Sequence, residues 1–306
     1  MSHTYTGELA ALLTAVFWTI TAIAFESASK KIGSLAVNIL RLFLAFIFLG
    51  IFGFFSTGFF FPAHASYHNW VWLSVSGLVG FVIGDLFLFQ SYVVVGARIS
   101  MLIMALAPPI AAVTGWLMLG EKMNFQSLAG MVITFAGISL TILSRKEKNP
   151  ESSSGNRLNI RFKYPVKGLL LAFGGAAGQG VGLVLSKYGM QDYDVFAASQ
   201  IRVITGVLGF AFVITIYGAW FRVKDAFSNL PAMKNLSIGA FFGPFLGVSF
   251  SLMAVKFTSS GIASTIMSIV PVMIIAPSVF ILKEKVSLRE IIGAVIAVVG
   301  VSLFFI

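Results

Sequence analysis

The sequence predicts an all-α integral membrane protein of ten transmembrane helices, built as two inverted five-helix repeats. Three observations carry that prediction. The 306 residues are 58% hydrophobic and only 10% charged, with a mean hydropathy of +0.95. The apolar residues fall into ten long runs, and one stretch of the first half returns in register in the second. A soluble domain is typically about 45–50% apolar and about 25% charged. So few charges cannot clothe a water-facing surface of this size, which argues against a soluble enzyme or a nucleic-acid binder. The 31 Phe residues suit a surface that faces lipid.

A membrane helix needs about 20 mostly apolar residues. The runs that meet this are 7–27, 35–57, 70–92, 98–119, 125–144, 167–188, 195–219, 234–254, 261–282 and 288–306. Strands of a membrane barrel would be about 10 residues long and strictly alternating; these runs are longer and apolar all round. The first run lacks a basic leader and a small-residue cleavage site and leads straight into the second, so it reads as a span and not a signal peptide. Most breaks are short and carry turn or charge signals, such as Gly120-Glu121-Lys122 and Lys283-Glu284-Lys285. The one long break, RKEKNPESSSGNRLNIRFKYPVK from Arg145 to Lys167, has the composition of a linker. The expected organisation is therefore 1–144 as one five-helix repeat, 145–166 as a charged linker and 167–306 as the second repeat.

Gap-free alignment of 108–140 with 271–303 pairs Pro108 with Pro271 and Glu121-Lys122 with Glu284-Lys285. It also pairs Gly130 with Gly293, Gly137 with Gly300, and Ser139-Leu140 with Ser302-Leu303. Unrelated apolar helices share Leu and Val by chance, but not Pro, Glu-Lys and two Gly in one register. A second match sets Arg41 against Arg202, each early in the second span of its half, and in that register Trp18 faces Gln179. An odd number of spans per half turns the second repeat upside down in the membrane. Inverted repeats recur in secondary transporters, with the substrate site near the midplane between them.

The segments GARISMLIMALAPPIAAVTGWLMLGEKMNFQSLAGMVITFAGISL and GIASTIMSIVPVMIIAPSVFILKEKVSLREIIGAVIAVVGVSL carry a family resemblance. The chain resembles the drug/metabolite transporter superfamily in its ten-helix form with two EamA domains. The resemblance covers nearly everything outside the linker. It implies a membrane carrier of amino acids, other metabolites, sugars or drugs, and no enzyme. Nothing resembles a nucleotide-binding loop, so gradients would drive transport.

Several polar residues lie inside spans and are candidates for substrate binding or coupling. Asp85, in GDLFLFQSY, is an acid well inside the third run. An ionised carboxylate at such depth is costly and is a functional suspect by default. It reads either as a proton-coupling or amine-binding group, or as the partner of Arg98 or Arg41. Arg41 and Arg202 read either as anion-binding groups or as architectural residues reaching the interface. Trp18, Gln90, Gln179, Asn38 and Gln200 read as cavity-lining or helix-joining groups. Pro108, Pro109 and Pro271 interrupt the fourth and ninth runs and are candidate hinges, or static bends. Gly174, Gly178 and Gly182 form one small-residue face for close helix packing. Glu121 and Glu284 read as turn-stabilising, and Lys187 and Lys256 as interfacial anchors. There is no Cys, and His3, His64 and His68 make no metal-ligand cluster, so no cofactor or metal is expected. The expected partners are a small-molecule substrate and membrane lipid, with no nucleic acid, in a monomer or homodimer.

Charge sets an expected orientation. Lys122, Lys187 and Lys256 lie on the side of the termini, whereas sixteen Lys and Arg, including those of the linker, lie on the other side. Positive-inside logic places the linker in the cytoplasm and both termini outside a cytoplasmic membrane. Two rivals to a carrier stay open at this point. An intramembrane enzyme on lipid substrates would need an interfacial catalytic cluster. A scaffold would not need a duplicated core with a buried acid.

Overall fold

The computed structural model describes residues 5–120, 125–145, 160–257, 263 and 266–303. The Glu121-Lys122 pair, the middle of the linker and much of 258–265 lie outside these. In the first half, α1 (Thr6–Ile32) and α2 (Ser34–Thr57) are followed by α3 (Tyr67–Gly77), a π-helical segment (Leu78–Gly84), α4 (Asp85–Met104), α5 (Ala107–Leu119) and α6 (Phe125–Ile142). The second half holds α7 (Val166–Met190), α8 (Val195–Ile216), a short α9 (Trp220–Ala226) and α10 (Leu230–Ala240). A second π segment (Phe241–Gly247), α11 (Val248–Phe257), α12 (Val270–Met273), α13 (Ile275–Phe280) and α14 (Leu288–Leu303) complete it. Between the halves, β1 (Leu143–Arg145) pairs antiparallel with β2 (Ile160–Phe162), so the ends of the linker form a small ribbon that its composition did not foretell.

Six helical stretches are long and apolar enough to cross a membrane: Thr6–Ile32, Ser34–Thr57, Tyr67–Met104, Val166–Met190, Val195–Ile216 and Leu230–Phe257. The other four predicted runs carry the end of α4 with α5, then α6, α12 with α13, and α14. Local chemistry sets several boundaries. Ser66 and Asn69 form a reciprocal capping box that starts α3 three residues before the predicted run. The Asn229 side chain accepts from the Ala232 amide and Pro231 opens α10, which likewise begins early. The third run's helix turns at Gly96, whose non-helical backbone (φ 83°, ψ 162°) is open to glycine and strained for other residues. α4 is thus two helices joined at that turn, which falls in the gap between the third predicted run and the fourth, 98–119.

The two π segments, LVGFVIG and FFGPFLG, occupy matching places in the two halves, with Gly80 against Gly243 and Gly84 against Gly247. This extends the repeat beyond the stretch visible in the alignment. Their glycines admit a crossing helix. A Cβ on Gly178 would fall 2.5 Å from the Gly84 Cα, and one on Gly182 would fall 3.0 Å from the Gly80 Cα. The small-residue face of α7 is thus a packing face, as its spacing implied. The other half repeats the arrangement with larger groups, as Thr21 packs on Gly243 and Trp18 on Gly247. Helices pair across the halves throughout: α1 with α10 and α11, α2 with α8, α4 with α7, and α6 with α14. Large apolar side chains such as Phe43, Phe55, Phe212 and Phe280 point outward. That surface needs lipid, because a water-soluble chain rarely exposes so much contiguous apolar area.

Candidate functional site

Where α1, α2, α4, α7, α8 and the two π segments meet, they line a cavity of about 160 Å³. That is room for on the order of ten waters or for a small organic molecule. Its wall is mostly apolar, with Phe25, Phe81, Leu183, Met267 and Pro271 among the lining residues. The polar groups are few and come from both halves: Trp18, Arg41, Asp85 and Tyr92 from the first, and Gln179, Arg202, Ser251 and Ser268 from the second.

Asp85 follows directly after the first π segment and is 3% exposed. One carboxylate oxygen takes the Arg41 guanidinium and the other accepts from the Gln179 amide at 2.7 Å. Gln179 also donates to the Gly80 carbonyl at 3.3 Å, a backbone group within the π segment. Asn38 completes the cluster, accepting from Arg41 Nε at 3.0 Å and donating to the Asp85 carbonyl at 3.3 Å. The rings of Phe25, Phe81 and Phe89 surround the Arg41 guanidinium, with Phe89 nearest at 4.4 Å. Such rings favour a desolvated cation through their negative faces.

Arg202 occupies a different state from its counterpart. It is 3% exposed and its guanidinium carbon lies 4.7 Å from the centroid of Phe81, a ring that also neighbours Arg41. Its Nε is buried without a hydrogen-bond partner, and among the described residues it forms no salt bridge. Two guanidiniums against one carboxylate leave the cavity with a formal charge of +1.

Of the residues singled out in the sequence, Trp18, Arg41, Asp85, Gln179, Arg202, Pro108 and Pro271 line the cavity. Gln90, Asn38, Gln200 and Pro109 do not. Gln90 accepts from the Ser34 hydroxyl at 2.7 Å and ties α4 to α2. Gln200 donates to the Phe60 carbonyl at 2.7 Å and anchors the loop after α2. Asn38 positions Arg41 without reaching the cavity. Arg98, a candidate partner for Asp85, turns away from it. Pro108 and Pro109 sit in the first turn of α5 and Pro271 in the first turn of α12, where a missing N–H costs nothing. The turns just ahead of them, at Ala105-Leu106 and at Ile269, keep right-handed helical backbone angles, so each proline follows a bend between two helical pieces of its run.

A second cluster escaped the sequence. Arg98 donates to Glu284 at 2.7 Å and to Glu290 at 3.0 Å, joining the halves across the ends of α4 and α14. Lys163 and Tyr164 of the linker also bind Glu290, at 2.5 and 2.6 Å. Burial and the bond to Glu290 push the Tyr164 phenol up to about 12, so it stays a donor across physiological pH. Beside them Glu26, fully buried near the end of α1, accepts from the Ala97 amide at 2.7 Å and pairs with Lys30. The Gly96 kink leaves that amide without a helical acceptor, and Glu26 supplies one. Glu284 is thus more than a turn residue, while Lys256 donates to the Asp192 and Tyr193 carbonyls and ties α11 to the loop after α7.

The model of the EamA-like transporter family matches the chain twice, over residues 5–143 and 166–306. Among solved structures 26 chains match. One crystal structure is 16% identical, covers 97% of this chain and 95% of its own, and superposes with a TM-score of 0.62, a likeness of fold alone. No curated protein matches.

Proposed function

The chain belongs to the EamA-like transporter family, and from that premise we propose that its central cavity is the substrate site of a secondary carrier for small metabolites. The observation that carries this reading is the cavity itself, walled by both repeats and lined by repeat-matched charged residues, Arg41 and Arg202. Two halves of opposite orientation packed around one site can exchange conformations, which gives alternating access. The turns ahead of Pro108 and Pro271 supply places for the helices to bend. Export across the cytoplasmic membrane is the direction we assign. Asp85, whose two oxygens are already engaged, suits a structural or coupling role better than direct capture of an amine.

The test uses the purified chain in liposomes and a broad panel of labelled metabolites in counterflow. At least one compound should exchange. Because the chain has no Cys, Ser251→Cys places a single thiol in the cavity wall. A bulky thiol reagent should then stop exchange, and reduction should restore it. No exchange by any compound, or exchange indifferent to the modified thiol, would sink the reading.

The orientation follows from the charge bias, with the linker cytoplasmic and the termini outside. A single Cys in the linker should resist an impermeant thiol reagent in intact cells and react after permeabilisation. Labelling in intact cells as strong as at residue 3 would reverse the assignment.

A further inference from the structure

Accepting that the cavity is a carrier's substrate site, we infer that Arg202 is its anion anchor and that the substrate is a small apolar molecule bearing one carboxylate. The argument begins from an asymmetry between the repeats. Arg41 and Arg202 are matched in sequence and both line the cavity, yet among the described residues only Arg41 forms an ion pair. That counter-ion, Asp85, stands directly after the first π segment. The residue at the same place after the second π segment is Val248, which also lines the cavity. The second repeat therefore keeps the arginine and lacks its acid.

A guanidinium that is 3% exposed and has a buried, unbonded Nε is unstable unless an anion or water answers it. Asp85 attracts Arg202 at longer range, but both its oxygens are held by Arg41 and Gln179. Within the membrane no bulk counter-ion substitutes at low energy. The vacant role is one negative charge with planar, bidentate geometry, which a carboxylate fills best on a guanidinium. Phe81 neighbours the guanidinium, its ring centroid 4.7 Å from Cζ. The rest of the wall, with Trp18, Leu183 and Met267, offers apolar and aromatic contact. The substrate's body is accordingly hydrophobic, and a second charge on it would meet no partner.

Binding to purified protein in detergent, read by thermal unfolding and by isothermal titration, tests this without requiring transport. The probes are benzoate and indole-3-acetate, their neutral amides, the matching amines, and chloride and phosphate. The carboxylates should bind and raise the melting temperature, while amides and amines bind at least about tenfold more weakly, the scale of a lost charge-assisted hydrogen bond. Arg202→Gln should lower carboxylate affinity by a similar factor. Because that variant removes a buried residue, Val248→Asp provides the second arm. It restores the missing acid, so it should fold well, pair with Arg202 and abolish carboxylate binding. Equal binding of amides, tighter binding of inorganic anions than of carboxylates, or carboxylate binding undiminished in Val248→Asp each overturns the inference. The outcomes separate it from the carrier reading. Carboxylates that bind through Arg202 but never exchange in liposomes refute the carrier alone. Compounds that exchange equally well in wild type and Arg202→Gln refute the anchor alone.

Discussion

Asp85→Asn is expected to lower the stability of the fold by about 3–5 kcal/mol, the cost of leaving a buried partner charge unanswered. The wild-type carboxylate serves two donors at once, Arg41 on one oxygen and Gln179 on the other. An amide has one acceptor oxygen, so one of these donors loses its partner, and the cavity is left with two guanidiniums and no acid. The energy lost is mostly that of the stranded Arg41, which Asn38 alone cannot neutralise. It follows that Arg41→Gln in the same chain should recover much of the loss, because it removes the stranded charge. Thermal or denaturant unfolding of the wild type, both single variants and the double variant measures the coupling. Transport readouts carry a second distinction. If the pair is structural, gradient-driven uptake and exchange decline together with stability. If Asp85 instead carries a coupled proton, Asp85→Asn keeps exchange and loses only gradient-driven flux. Wild-type stability in Asp85→Asn would show that the ion pair does not hold the centre of the fold.

The architecture was legible wherever composition or register carries information. Ten apolar runs show where helices must lie, because hydrocarbon tolerates only backbone that bonds to itself. Register paired Arg41 with Arg202 and Trp18 with Gln179, and all four line the cavity. Gln90, Asn38 and Gln200 were beyond that method. A helix apolar on all sides has no polar face from which to tell inward from outward, so a lone polar residue gives no rotation. Glu26 escaped for another reason. At the end of an apolar run an acid looks interfacial, and its partner, the Ala97 amide, is freed only by the Gly96 kink 70 residues later. The π segments left a fainter signal in the matched spacing of Gly80 and Gly84 with Gly243 and Gly247. The signal is faint because the residues between are interchangeable apolar ones. The asymmetry between Asp85 and Val248 becomes meaningful only once those segments set the register.

Arg98→Gln is expected to open the linker side of the cavity. Arg98, on the first repeat, is 8% exposed and holds two acids of the second, Glu284 at 2.7 Å and Glu290 at 3.0 Å. Glu290 keeps Lys163 and Tyr164 when Arg98 is gone, whereas Glu284 loses its only ion pair among the described residues. The substitution therefore cuts the tie between repeats and spares the tie between linker and α14. Charged pairs of this kind differ from the glycine contacts of α4 with α7, which lock by shape and cannot come apart without separating helices. An ionic tie between the repeats can break and re-form as they rock, and all its members lie on the side that charge assigns to the cytoplasm. A thiol at Ser251→Cys reports the consequence. In inside-out vesicles its reaction with an impermeant reagent should be about tenfold faster in the Arg98→Gln background, corresponding to about 1.4 kcal/mol of lost closure, near the lower end for a hydrogen bond to a charged group. In right-side-out vesicles the rate should be unchanged or slower. Arg98→Lys keeps the charge but not the fork, and should fall between the two. A melting temperature that drops while labelling stays at wild-type rates would make the cluster a static staple, and the gate would have to be sought elsewhere between the repeats.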